Sequence, residues 1–381
     1  MERITTINPQ RLGWCLNDLG VTTDDVAVET GLPAEKLRAV LDGVGSLTFA
    51  QLRKLAEYLG RSVLFLLDPT PVDAERVYSP QFRTLAGQKP ELSRRVRQLV
   101  QRAERQRAVY LDLLDDLDGA ERPQFDPPAL PSDPAAAARI AREWLALDDV
   151  NTFAGYRAAV ENKGILVFRT NGYAGKWQIA KESPILGFAL YDSVAPVIVV
   201  KKQDAEARQS FTLMHELAHV LMHRISSVDD KADLRATQGM EREANQFAAH
   251  LLVPDTFLSQ MRDAERPGDV AQLDEWLRPQ RQALGVSSDV ILLRLVDAGR
   301  LPRAVYEAFC SWREEQPQGQ GDGGSRAYRY REAGHVFGDR FVRTVLGALG
   351  ARLITLSRAS DYLDGLKVED LHKLERHYAG A

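Results

Sequence analysis

Only two cysteines, Cys15 and Cys310, occur in the 381 residues. Far apart in the chain and too few for a disulfide framework, they suit a reducing compartment. Long apolar runs are missing as well. Near the N-terminus the longest clean run is Val63 to Leu67, far short of the ~20 residues of a membrane helix. The opening segment, MERITTINPQ, has no apolar signal core. Secretion and membrane insertion are therefore not expected, and the expected location is cytoplasmic. Positive charge is not in excess either: 49 Lys and Arg stand against 53 Asp and Glu, a net charge of −4. Overall charge would not hold this chain on nucleic acid, so any basic surface is local. What is present is the usage of a globular protein, with 44% hydrophobic and 27% charged residues. At roughly 100–200 residues per domain the length allows two or three domains.

Four regions are expected. Residues 1–70 read as short helices punctuated by Gly20, Gly31, Gly43, Gly45 and Gly60. Gly31-Leu32-Pro33 is a tight turn between a helix capped at Thr22 or Thr23 and one from Ala34 to Leu41, which is the helix-turn-helix pattern. Residues 71–134 form a helical connector and linker. Lys89 to Ala108 carries seven basic and two acidic residues, with Leu92, Val96, Leu99, Val100 and Ala103 on one face. The helix turns acidic from Tyr110 to Asp118. Glu121 to Pro134 then holds five prolines in fourteen residues, the composition of a linker or extended strap. Residues 135–310 begin with two helices, to about Leu147 and from Phe153 to Asn162. Strand-like runs follow at Gly164 to Arg169, Ile185 to Tyr191 and Pro196 to Val200, the last two joined as a hairpin. Helices from Arg208 to His223 and Met240 to Leu252 come next, the second stopped by Pro254. Residues 311–381 comprise a Gly-rich loop, Gln316 to Ser325, and further helical patterning.

The most specific motif is His215-Glu216-Leu217-Ala218-His219. Histidines four apart lie about 40° apart on a helix, so both imidazoles can reach one ion. Glu216 is then placed beside a metal-bound water. Zinc lowers that water's pKa towards ~7, and a carboxylate takes its proton as it attacks a carbonyl. His215 and His219 are thus candidate metal ligands and Glu216 the candidate catalytic base. The surrounding Phe211, Leu213, Met214, Leu217, Val220 and Leu221 make a buried helix. Buried histidines and a glutamate need partners, and a metal supplies them.

A third protein ligand is required. His223 follows His219 at the wrong spacing and suits a helix end. Glu241 and Glu243 are the next candidates. On a helical wheel centred on Ala244, Phe247, Ala248 and Leu251 fall within about 60°. Glu241 falls at about +60°, on the rim of that buried face, and Glu243 about 100° away on the other side. Glu241 is the better ligand, and Glu243 belongs to a solvated face. Asn245, one turn on, is placed to hydrogen-bond a ligand. His250, opposite Glu241, is expected to be exposed. Tyr173, Tyr191 and Arg208 are available as oxyanion donors, with none singled out.

Together these segments resemble the ImmA/IrrE family of zinc metallopeptidases. They are Arg208 to His219 (RQSFTLMHELAH), Gly187 to Tyr191, Pro196 to Val200, Glu241 to Pro254 (EREANQFAAHLLVP) and Leu284 to Leu295. Two positions depart from the family's usual residues: Ala218 stands where Gly is common and Val253 where Met is common. The first third is similar to Xre/Cro-type helix-turn-helix domains, which often precede this peptidase. The resemblance implies zinc held by His215, His219 and Glu241, with Glu216 as general base. It also implies a mostly helical α+β chain: an N-terminal all-α helix-turn-helix bundle, then a gluzincin-like metallopeptidase domain with a small mixed sheet. Substrate would lie extended along an edge strand, and the cleaved partner would be a transcriptional repressor. The rival is a non-enzymatic regulator or antitoxin-like protein with a structural or sensing zinc site. Such a site has no use for Glu216.

Double-stranded DNA is the partner expected for residues 1–70. On Ala34 to Leu41 the outward side chains Lys36 and Arg38 could reach phosphate or guanine. Residues 1–70 nevertheless hold seven basic and nine acidic side chains, which is poor for phosphate affinity.

Overall fold

The computed structural model describes residues 3–72, 93–117, 125–147, 150–171, 176–236, 238–315 and 326–380. Several expectations touch the remainder, among them Leu92 and Asp118 of the connector helix. The start of the basic helix at Lys89, residues 121–124 of the Pro-rich stretch, Tyr173 and the loop from Gln316 to Ser325 lie outside the described residues. The chain divides into two compact units, one essentially Met1–Arg83 and one Arg95–Ala381. It is mostly helical with a small mixed sheet.

Among the described residues the first unit has five helices: α1 (Pro9–Leu19), α2 (Thr23–Thr30), α3 (Ala34–Leu41), α4 (Phe49–Leu59) and α5 (Val63–Leu67). A two-residue pairing of β1 (Arg3–Ile4) with β2 (Leu47–Thr48) closes the N-terminus on the turn before α4. Local chemistry sets the boundaries. Thr22 and Asp25 form a capping box on α2, and Thr48 and Gln51 form one on α4. Each such cap contributes about 1 kcal/mol. Val26, Leu37, Val40, Leu52, Leu55 and Leu59 point inward at helical spacing and make one core. Arg11 on α1 ties down the segment after α5, donating to Thr70 O at 2.7 Å and pairing with Asp68 at 2.9 Å.

The second unit is built on a four-stranded sheet of order β3-β5-β4-β6, with β3 (Leu166–Arg169), β4 (Ile185–Leu190), β5 (Val197–Val200) and β6 (Ser227–Asp230). β3 and β5 are parallel and the other pairings antiparallel. Strand β6 was not expected from sequence. Its pairing to β4 slips by one residue: Gly187 faces Asp229, Ile185 faces Asp230, and Leu186 is the extra residue of a bulge.

Both faces of the sheet are covered, which explains the uninterrupted apolar runs of β4 and β5. Val167, Ala189, Ile198 and Val200 face α9 (Glu206–Ala218), α10 (Gly239–Leu252), α7 (Pro134–Leu145) and α8 (Phe153–Glu161). On the other face Phe168 meets Trp177, Phe337 and Phe341 edge-on, with centroids 5.4–5.9 Å apart. Phe337 and Phe341 belong to a long C-terminal helix, Glu332–Gly350. The connector helix α6 (Arg94–Asp116) also packs within this unit, with Gln106 donating to Tyr362 O and Arg107 pairing with Asp192.

The C-terminal helix is broken at Gly338 (φ 78°, ψ 165°). Arg157 on α8 donates to the carbonyls of His335 and Val336 before the break and to Val167 O on β3. Glu161, one turn further along α8, accepts from Arg340 N after it. A Cβ at 338 would collide with the Glu161 carboxylate, so only glycine fits there. No helix among the described residues is long and apolar enough to cross a membrane.

Candidate metal centre

Helix α9 runs against the sheet, and it does not continue as a regular helix to His223. It ends at Ala218 and passes into a π-type turn, His219–His223, a local widening often found at functional sites. His215, Glu216 and His219 are all fully buried. The Nε2 atoms of His215 and His219 lie 3.3 Å apart. Glu241, in the first turn of α10, brings Oε2 to 3.2 Å from His215 Nε2 and 3.4 Å from His219 Nε2. Its side chain is 30% exposed, the most open member of the group.

The structure brings a fourth donor that sequence reasoning missed. Asp229 on β6 places Oδ2 at 3.4 Å and 3.5 Å from the same two nitrogens. His215, His219, Asp229 and Glu241 offer ligand atoms that all lie within 4.8 Å of one another. Nothing in Ser227-Val228-Asp229-Asp230 announces this, because the segment reads as a turn. Its place depends on pairing with β4, some forty residues earlier.

The histidines are oriented from behind. His215 Nδ1 donates to Asn245 Oδ1 at 2.9 Å, and Asn245 Nδ2 donates to Asp233 O at 2.9 Å. His215 therefore turns Nε2, its other ring nitrogen, toward the cluster. His219 Nδ1 lies 3.0 Å from His223 Nδ1, so its Nε2 also faces the cluster. His223 in turn contacts Glu243, which stands outside the cluster at 48% exposure. His250 differs from the expectation of exposure. It is partly covered, with Asp255 4.0 Å away. Burial, reinforced by Arg294, pushes it down to about 4.

Glu216 lies on the sheet side of α9. Its Oε2 accepts from Ser227 Oγ at 3.2 Å, while Oε1 is buried with no hydrogen-bond partner among the described residues. Burial raises its pKa well above the carboxylate range, and neighbouring Asp229 adds to this. For His215, burial alone would lower the pKa, but Asp229 and Glu241 outweigh it and push it up to about 9. Burial would raise Glu241, yet the two histidines pull it down. The cluster is thus short of positive charge. The buried oxygens Glu216 Oε1 and Asp229 Oδ2, neither hydrogen-bonded among the described residues, mark the same deficit. A divalent cation fits this donor set of nitrogen and oxygen.

Buried imidazoles on one helix, a carboxylate on the next and a second carboxylate on β6 make a donor set that could hold a metal, of the kind a metallopeptidase uses. Comparison with known proteins agrees with that class. Residues 160–296 match the IrrE N-terminal-like domain of a peptidase family. The chain is also 33% identical over 91 residues to uncharacterized immunity region protein 2 of Bacillus phage phi105. The match covers 23% of this chain and 56% of that one, so the chain spans about half the length of the curated relative. No solved structure matches. These matches support a metallopeptidase of the ImmA/IrrE type.

Proposed function

We propose that this chain is a cytoplasmic zinc endopeptidase that cleaves a protein regulator and reads double-stranded DNA through its first unit. The observation that carries the peptidase reading is Glu216. A buried carboxylate with one oxygen unpartnered, next to a cluster of metal donors, is costly unless it handles a proton. His215, His219 and Glu241 hold the zinc, and Asn245 positions His215. Zinc bound there supplies Lewis acidity to the site. Glu216 takes a proton from the attacking water and delivers it to the departing amine, while Ser227 steadies its other oxygen. The phage immunity-region relative favours a repressor-type substrate. In the first unit, α2 and α3 act as a helix-turn-helix, with Lys36 and Arg38 on its outer side.

Glu216→Gln is the test. It should keep the fold and the zinc while losing proteolysis by roughly 10²–10⁴, the contribution of general-base catalysis. Captured with this variant in a pull-down, the substrate would identify itself. Should Glu216→Gln leave the protein's function in cells intact, the non-enzymatic regulator with a structural zinc is the correct reading.

A further inference from the structure

The cluster holds one donor more than a catalytic zinc needs. Catalytic zinc is bound by three protein ligands with a fourth position open, and four protein ligands close the site. Bonds of about 2.0–2.2 Å at tetrahedral angles separate neighbouring donors by about 3.3–3.6 Å. In this chain the two imidazole nitrogens are 3.3 Å apart. Glu241 Oε2 stands 3.2 and 3.4 Å from them, and Asp229 Oδ2 stands 3.4 and 3.5 Å from them. Five of the six donor separations are near that value, and Asp229 Oδ2 stands to the two imidazoles as Glu241 Oε2 does; all four ligand atoms lie within 4.8 Å of one another.

Its surroundings hold Asp229 there. The side chain is 2% exposed, and Oδ2 has no hydrogen-bond partner among the described residues. The bulge at Leu186 turns this stretch of β6 relative to β4, and such irregularities re-aim side chains beside functional sites. A short aspartate on a paired strand has little freedom to swing elsewhere without the strand moving.

Resting on the zinc-peptidase reading, we propose that Asp229 is a fourth protein ligand. It occupies the position that water and the scissile carbonyl must enter. The resting chain is latent, and turnover requires Asp229 to withdraw. Strand β6 is the terminal strand of the described sheet and pairs only with β4. A peptide added along its outer side would act directly on the element that carries Asp229.

The experiment uses the full-length protein with cobalt(II) in place of zinc, followed by visible absorption during titration with acetohydroxamate. A closed site in the wild-type chain leaves the spectrum unchanged at concentrations that shift it in Asp229→Ala and in the near-isosteric Asp229→Asn. Both variants should bind zinc more weakly, by at least the ~10-fold that changes around metal ligands cost. At saturating zinc they should hydrolyse unfolded casein faster than the wild type. A wild-type spectrum that responds to acetohydroxamate at the first additions overturns the proposal without recourse to any variant. So does an Asp229→Asn protein with unchanged zinc affinity, which would make Asp229 only a neighbour of Glu216. A wild-type chain that binds no zinc would instead bring down the peptidase reading itself.

Discussion

Gly187 on β4 and Glu216 on α9 are fitted to each other: a Cβ at position 187 would stand 2.5 Å from Glu216 Oε1 and 2.9 Å from Thr212 Cγ2. The glycine makes room for the carboxylate between helix and sheet. Gly187→Ala should therefore push Glu216 from its place while leaving His215, His219 and Glu241 where they are. Zinc content should stay near the parent's, and peptide hydrolysis should fall, through kcat rather than KM. A variant with normal kcat would show that this close approach has no bearing on Glu216.

Ligand choice on α10 is separable by metal analysis. About one zinc per chain is expected in protein purified without added metal. Glu241→Ala should lose most of it, because Oε2 contacts both imidazoles. Glu243→Ala should retain it, since that carboxylate pairs with His223, outside the donor cluster. The opposite result would move the third ligand to Glu243.

On the first unit, Arg38 is held by Asp24, with Nη2 at 2.7 Å and 2.8 Å from the two carboxylate oxygens. Phosphate must compete with that aspartate. Asp24→Asn should tighten DNA binding and steepen the salt dependence by about one unit of slope. Lys36→Glu combined with Arg38→Glu should abolish binding and leave zinc content unchanged. Fluorescence anisotropy over a salt series reads both. Equal affinities for parent and double variant would make this unit a protein-docking surface.

His250 gives a pH signature. Its pKa falls from 6.5 to about 4 in the folded chain, so the unfolded chain takes up the proton first. The contribution of this group to stability is complete above about pH 6.5 and is lost as the pH falls towards 4. His250→Gln should flatten that part of the melting-temperature profile. A profile with the parent's slope would assign the loss to other groups.

How much of this could be read from residues alone depended on range. The motif on α9 and the inner face of α10 are local patterns, so spacing of 3.6 residues set Glu241 apart from Glu243. Asn245 followed from the same wheel. Strands β4 and β5 were legible as apolar runs with a turn at Asp192-Ser193. Strand β6 was not, because two aspartates and a serine oppose strand formation, and only pairing to β4 makes it one. Asp229 stayed hidden with it. The break at Gly338 was equally invisible, since Arg157 and Glu161 impose it from 177 or more residues away. His250 was misjudged because the wheel knows nothing of Arg294 and Asp255, which reach it from other elements.

The aromatic cover over Phe168 also sets an order in time. Every side chain of the His–Glu–Asp cluster has been synthesised once Glu241 emerges, yet Phe337 and Phe341, which close the far side of the sheet, come about a hundred residues later. At roughly 5–20 residues per second, the nascent sheet waits on the order of 5–20 s with that face still lacking Phe337 and Phe341. A stop codon placed just before residue 332 would make the wait permanent, giving a product with all its metal donors and no lasting fold to hold them.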